Sequence, residues 1–341
     1  MKKLSILTAV MLAALSCFAF SACGGGGTTP SVTPSQEPSV TPSVEPTGAA
    51  GAFSYEIQGE AAVLVDYLGE DKELTLPSTY LGLPVIAVAC GVFQGNTALE
   101  SLTLPDSLIR IEEDAFRDCA SLKSVTVSGT PALKTIAANA FDGCSLLKTV
   151  SGTANCEKVG SRAFKGCTAL EEINLSAVKD IGASAFEGCT SLKKVFTEYR
   201  ESVLDEEESE AEKTQGCNPQ REIVNTGIGT KAFYGCTSLT AAYFPANSLG
   251  FIGESAFEGC TSLQKLYLPN TVIIIRKNAF KDCNSLTTVF HVAGGWSFSE
   301  IIIDESAGLD NATVYYRTSQ YAEKGWYHNY NYFGEPTLWK E

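Results

Sequence analysis

Ile181-Gly182-Ala183-Ser184-Ala185-Phe186-Glu187-Gly188-Cys189-Thr190-Ser191-Leu192-Lys193-Lys194-Val195 is the stretch on which the fold turns, because the chain writes it again and again. Its Ala-Phe dipeptide returns at Ala115-Phe116, Ala140-Phe141, Ala163-Phe164, Ala232-Phe233, Ala256-Phe257 and Ala279-Phe280, and opens as Val92-Phe93. Successive phenylalanines are 23, 25, 23, 22, 47, 24 and 23 residues apart. Six residues beyond each stands leucine: Leu99, Leu122, Leu147, Leu170, Leu192, Leu239, Leu263 and Leu286. Nine beyond stand Leu102, Val125, Val150, Ile173, Val195, Ala242, Leu266 and Val289. Five before stand Val88, Ile111, Ile136, Val159, Ile181, Ile228, Ile252 and Ile275. A fixed period of this length marks one supersecondary unit repeated, each unable to bury its apolar face until its neighbours stack on it.

With the apolar residue two further on (Leu104, Val127, Leu175, Phe244, Leu268), five of the eight units read L-x-x-L-x-L, the leucine-rich repeat signature. The expected architecture is therefore a leucine-rich repeat solenoid of the α/β repeat class. It has one short parallel strand per coil of 22–25 residues, joined by turns and short helical segments. Strands stack about 4.8 Å apart, so nine or so coils predict a rod roughly 40–45 Å long. Units such as 181–192 resemble the BspA-like leucine-rich repeat family of bacterial surface proteins, over about residues 53–291. The segment Tyr55 to Val88 is similar to that family's N-terminal coil and cap, which sets residues 53–91 apart from the repeats of 92–291. Residues 292–341 carry Tyr315, Tyr316, Trp326, Tyr327, Tyr330 and Trp339, and Val314 to Trp339 resembles an aromatic terminal module of some members. Such a segment suits a C-terminal cap over the last coil, or a platform on which sugars stack. The resemblance implies surface display with adhesion or recognition.

The start of the chain is an address. Lys2 and Lys3, an apolar run from Leu4 to Phe20, and Ser21-Ala22 before Cys23 read as a signal peptide over residues 1–22. Phe20-Ser21-Ala22-Cys23 resembles a bacterial lipobox, with Phe20 where leucine is usual; the resemblance implies a lipid on the Cys23 thiol. The other reading is an ordinary secretory leader. Residues 24–52 follow as a tether, four glycines and then Pro30, Pro34, Pro38, Pro42 and Pro46, with no large apolar side chain other than valine. Such a segment favours extended polyproline II at about 3.1 Å per residue. The expected location is extracytoplasmic, at the bacterial membrane or cell surface, with the membrane touched only through the lipid.

The chain carries a net −14, and without Lys2 and Lys3 the remainder has 23 basic and 39 acidic residues, a net −16. That balance repels nucleic acid and anionic headgroups. Seven of the 12 cysteines sit three residues after a phenylalanine. Equivalent positions in a solenoid form a row, which cannot supply tetrahedral zinc ligands, so no metal is expected; spacing of about 5 Å would admit disulfides, but parallel side chains pointing inward favour buried thiols. No cofactor is implied. The doubled spacing between Phe186 and Phe233 is read as an acidic loop inserted at 198–225 and containing Glu206-Glu207-Glu208.

Outward-facing strand positions change along the chain. Early coils place Thr103, Thr126, Ser151 and Asn174 there, and later ones Phe196, Tyr243, Tyr267 and Phe290, flanked by Lys194 and Lys265. An exposed aromatic stripe is a candidate binding surface for a protein or glycan ligand. Stacking that only stiffens the sheet, or burial under the inserted loop, would read the same way. His291 and His328, the two histidines, lie in no nucleophile or metal motif, so no catalytic residue is assigned. Carboxylate chemistry of the glycosidase kind is the competing class, for which the repeats leave no spare domain, and a structural envelope protein without a soluble ligand is the third reading.

Overall fold

The computed structural model describes residues 52–195, 226–244, 249–269, 271–272, 274–292, 302–304, 306–310, 312–317, 326–330 and 336–338. The eight repeating phenylalanines stack into one interior column, from Phe93 on Phe116 to Phe257 on Phe280. Ring centroids are 5.0–5.3 Å apart and ring planes within 3–10° of parallel. Phe186 stacks on Phe233 at 5.1 Å, and Ile181 pairs with Ile228, so these coils are neighbours although 47 residues separate their phenylalanines. The inserted residues themselves lie outside the described ones.

Each coil contributes two strands, not the single one expected. The L-x-x-L segments form one parallel ladder, through Glu73–Thr75, Ser101–Leu104, Ser124–Val127, Thr149–Val150 and Glu172–Ile173. Bridges from Glu172 to Lys194 and from Lys194 to Ala241 carry it on to Ala241–Tyr243, Lys265–Pro269 and Thr288–Val292. The isoleucine column forms a second ladder, from Arg110–Ile111 and Thr135–Ile136 to Ile274–Ile275 and Ile302–Ile303. In-register coils offer each other a backbone partner at every equivalent position, so pairing extends wherever both chains are extended.

No helix occurs among the described residues, which corrects the expectation of short helical segments. The Ala-Phe turn instead bonds across coils: the Phe116 N–H donates to the Ala140 carbonyl at 2.8 Å and the Phe164 N–H to that of Ala185 at 2.7 Å. Left-handed residues bracket each turn, as Ser184 (φ 57°) and Gly188 (φ 76°) bracket Phe186, and two such residues four apart preclude a helical run.

The cysteines complete this interior. Each Sγ–H donates to the phenylalanine carbonyl of the preceding coil: Cys119 to Phe93 and Cys144 to Phe116 at 3.0 Å, Cys167 to Phe141 at 3.2 Å, Cys189 to Phe164 at 3.1 Å. Cys236, Cys260 and Cys283 do the same at 3.2, 3.1 and 3.0 Å. The same carbonyl accepts an N–H from its own turn, as Phe141 does from Cys144 at 3.1 Å, so the thiol serves its second lone pair. The first repeat has Asn96 in this column, where its Oδ1 accepts from the Ala98 and Leu99 N–H groups at 2.9 Å.

The N-terminal end is closed by a hairpin, Phe53–Gln58 with Ala61–Tyr67, turning at Gly59 (φ 63°). Ala61–Tyr67 joins the isoleucine ladder through Leu83–Val88, and the Tyr67 ring lies against Phe93 at 5.1 Å. At the other end the L-x-x-L ladder continues through Thr313–Arg317 and Trp326–Tyr330 to an antiparallel Pro336–Leu338. Among the described residues the isoleucine ladder runs as far as Ile303, which is exposed.

Lysines of neighbouring coils clasp single glutamates on the surface. Glu100 pairs with Lys123 at 2.5 Å and Lys72 at 3.3 Å, Glu157 with Lys179 at 2.7 Å and Lys134 at 3.0 Å, and Glu171 with Lys193 and Lys148 at 3.0 Å each. Hydrogen bonds from Lys123, Lys179 and Lys193, with the second lysine next, hold these carboxyls below the ordinary 4.5. A carboxyl depressed in the folded state contributes stability above its unfolded pKa, and that contribution is lost as pH falls through the folded value. Melting temperature is expected to be level above about pH 5 and to drop below it. Thermal melts should show a shallower drop in the triple variant Glu100→Gln/Glu157→Gln/Glu171→Gln, and added salt should mimic that variant at neutral pH.

Candidate ligand-binding face

The L-x-x-L ladder turns alternate residues inward and outward. Leu102, Val125, Val150, Ile173, Val195, Ala242, Leu266 and Val289 are buried. Between and beside them the early coils present Thr103 and Asn174, half-buried, and Thr126 and Ser151, exposed. Asn174 Oδ1 accepts from the Ser176 N–H at 3.1 Å and from its hydroxyl, a local turn. This half of the face is polar.

Two residues of the expected stripe come together. Tyr243 and Tyr267 are register partners on adjacent strands, and their rings stack at 4.3 Å with planes 15° apart. Tyr243 is half-buried, whereas Tyr267 is only 8 % exposed. An open apolar stripe is thus corrected at Tyr267: ladder spacing lets the neighbouring ring cover its face. Phe290 follows in the register beside Tyr267 and is itself paired with Tyr315, but its side chain, like all of Phe196, lies outside the described residues. Lys194 is exposed at the bridge between Glu172 and Ala241, and Lys265 is half-buried beside Ala241 and Thr288. Cys23, too, is outside the described residues.

The isoleucine ladder carries aromatic features that periodicity did not single out. Phe251 lies across Gly227 of the preceding coil: a Cβ on Gly227 would stand 2.5 Å from the Phe251 carbonyl oxygen and 2.7 Å from its ring. Away from that ladder, in the Ala-Phe turn, Tyr234 is 38 % exposed, with Lys231 Nζ 5.5 Å from its ring centroid. The available signal was a glycine followed, one period later in the same column, by an aromatic residue.

Among the described residues no group of three or more His, Cys, Asp or Glu is placed to hold a metal ion, and no helix is long and apolar enough to cross a membrane. Burial pushes the Cys156 thiol up to about 11 and raises Cys167, Cys189, Cys236 and Cys260 as well. These thiols stay protonated and unreactive at neutral pH.

Six copies of the BspA type leucine-rich repeat region match residues 87–206 and 223–305, more than half of the chain. The chain belongs to the BspA-type leucine-rich repeat family. Among solved structures, the BspA-type solenoid is similar to the leucine-rich repeat protein of T. pallidum, at 26% identity and TM-score 0.50, covering 64% of this chain and 91% of that one. A leucine-rich cell surface protein of Faecalibacterium prausnitzii shares the fold at 23% identity and TM-score 0.53, covering 75% and 72%. A search of curated proteins finds no match.

Proposed function

We propose that this BspA-type protein is a non-catalytic binding module displayed at the bacterial cell surface, held by a lipid on Cys23 and spaced from the membrane by residues 24–52. Its ligand docks on the L-x-x-L face of the later coils, around Tyr243 and Tyr267, with Lys194 and Lys265 at the margin. Phe196 and Phe290 extend that patch by their place in the repeat. The observation that carries this reading is the change of the outward column from Thr126, Ser151 and Asn174 to a stacked tyrosine pair on one continuous ladder.

A protein ligand is favoured over a glycan. Pyranose rings stack on open aromatic faces, and here each tyrosine turns one face to the other. A half-buried tyrosine such as Tyr243 suits the mixed apolar and polar contacts of protein interfaces, in which tyrosine is enriched. Family membership and likeness to a cell surface protein support display at the surface.

The test is a binding array of host-matrix proteins and glycans probed with the soluble protein, followed by Tyr243→Ser/Tyr267→Ser against any ligand captured. Loss of roughly thirtyfold or more is expected, the effect of removing an interface hot spot. Full affinity in that variant would remove the site. Product formation from any arrayed glycan or peptide would overturn the non-catalytic reading. Globomycin-sensitive processing and loss of membrane attachment in Cys23→Ser test the anchor.

A further inference from the structure

The cysteine column is a buried nucleophilic array that ligand binding does not use. Its seven thiols, Cys119 to Cys283, are all buried and all engaged as donors at 3.0–3.2 Å to carbonyls of the preceding coil. Coils repeat at the 5.0–5.3 Å of the ring column, inside the roughly 4.4–6.8 Å between Cα atoms that a disulfide spans. Distance therefore permits a bridge between neighbours in the column. Bonding opposes it, because each Sγ–H already donates to a carbonyl of the preceding coil, and a disulfide would strip two carbonyls of their second donor inside the core.

We infer that the column makes folding and thiol oxidation mutually exclusive, so that this protein folds only from the reduced chain and, once folded, shields its thiols from oxidants. The oxidant class is a small-molecule disulfide. A protein thiolate attacks one sulfur of it, releasing one thiol and leaving a mixed disulfide. A second protein thiolate then displaces the other thiol. Two protein thiols become one S–S bond, their two protons end on the two released small thiols, and two electrons pass from protein sulfur to the reagent. In the unfolded chain, column cysteines lie 22–25 residues apart within the regular repeats, a short loop to close, and bridging them withdraws chains from the folding equilibrium.

The experiment uses the full chain unfolded in guanidinium chloride under reductant. One portion is diluted into dithiothreitol, and a second is treated with oxidised glutathione before dilution. Near-ultraviolet circular dichroism follows the stacked rings, and peptide mapping locates disulfides. Native signal is expected in the first portion and lost in the second, with column-to-column bridges mapped, and later dithiothreitol should restore it. Native protein held in oxidised glutathione should keep its column thiols. Column bridges formed in native protein as fast as in unfolded chain would overturn the inference, as would native signal from a bridged chain. The variant Cys90→Ser/Cys217→Ser, which leaves the column untouched, should show the same loss; equal refolding in both portions would place the effect off the column and refute the inference.

Discussion

Phe164→Ala is expected to lower the melting temperature by on the order of 10 °C and to break a single unfolding transition into two. Phe164 is fully buried and stacked on both sides, against Phe141 at 5.1 Å and Phe186 at 5.1 Å. Removing the ring opens a cavity between two coils, and phenylalanine-to-alanine truncation in a core costs about 3–5 kcal/mol. A solenoid is held by interfaces between neighbours, so a weak interface at the fourth of eight repeats uncouples the two halves. Phe280→Ala, next to the end of the column, should fray the last coils and leave the main transition nearly in place. Calorimetry distinguishes these outcomes. An unchanged, single transition in Phe164→Ala would mean that the column is not what couples the coils.

Gly182→Ala should be the second most damaging single change, though it adds only a methyl group. A Cβ at Gly182 would stand 2.4 Å from the Ser161 nitrogen and 2.6 Å from the Gly160 carbonyl carbon, both backbone atoms of the preceding coil. Backbone in a paired ladder cannot swing aside as a side-chain tip can, so the two coils must part, at about 1–3 kcal/mol. Gly188, in the same coil, offers an internal comparison. It has φ 76° with nothing within 4 Å of an added Cβ, so alanine there meets only the left-handed backbone penalty of about 1 kcal/mol. Denaturant melts of the two variants should therefore separate close approach from backbone strain. Equal losses would indicate that the coils can open at Gly182 without penalty.

The candidate face was legible only in part. That Tyr243 and Tyr267 share an outward column follows from counting ten residues past each phenylalanine, between the inward positions nine and eleven, and the ladder pairs them as counted. That Tyr267 is almost wholly covered does not follow from counting, because cover depends on how neighbouring rings tilt over one another. Phe251 is likewise not distinguished by counting. It sits in a column occupied by Arg110, Thr135, Lys158 and Asp180 in earlier coils, and only its fold across Gly227 makes it notable.

The sequence by itself determined which residues are equivalent. Period and register assign Phe186 and Phe233 to adjacent coils across a long insertion, put seven cysteines in one interior row, and align the leucines with the core. Equivalence is a property of spacing, and spacing survives in the bare chain. Only the tertiary structure decided what equivalent positions do to one another: the second strand in every coil, cross-coil bonding where helical turns were expected, each thiol's proton placed on a neighbouring coil's carbonyl. Those bonds join residues one whole repeat apart, so they exist only after the coils have stacked, and no local preference announces them.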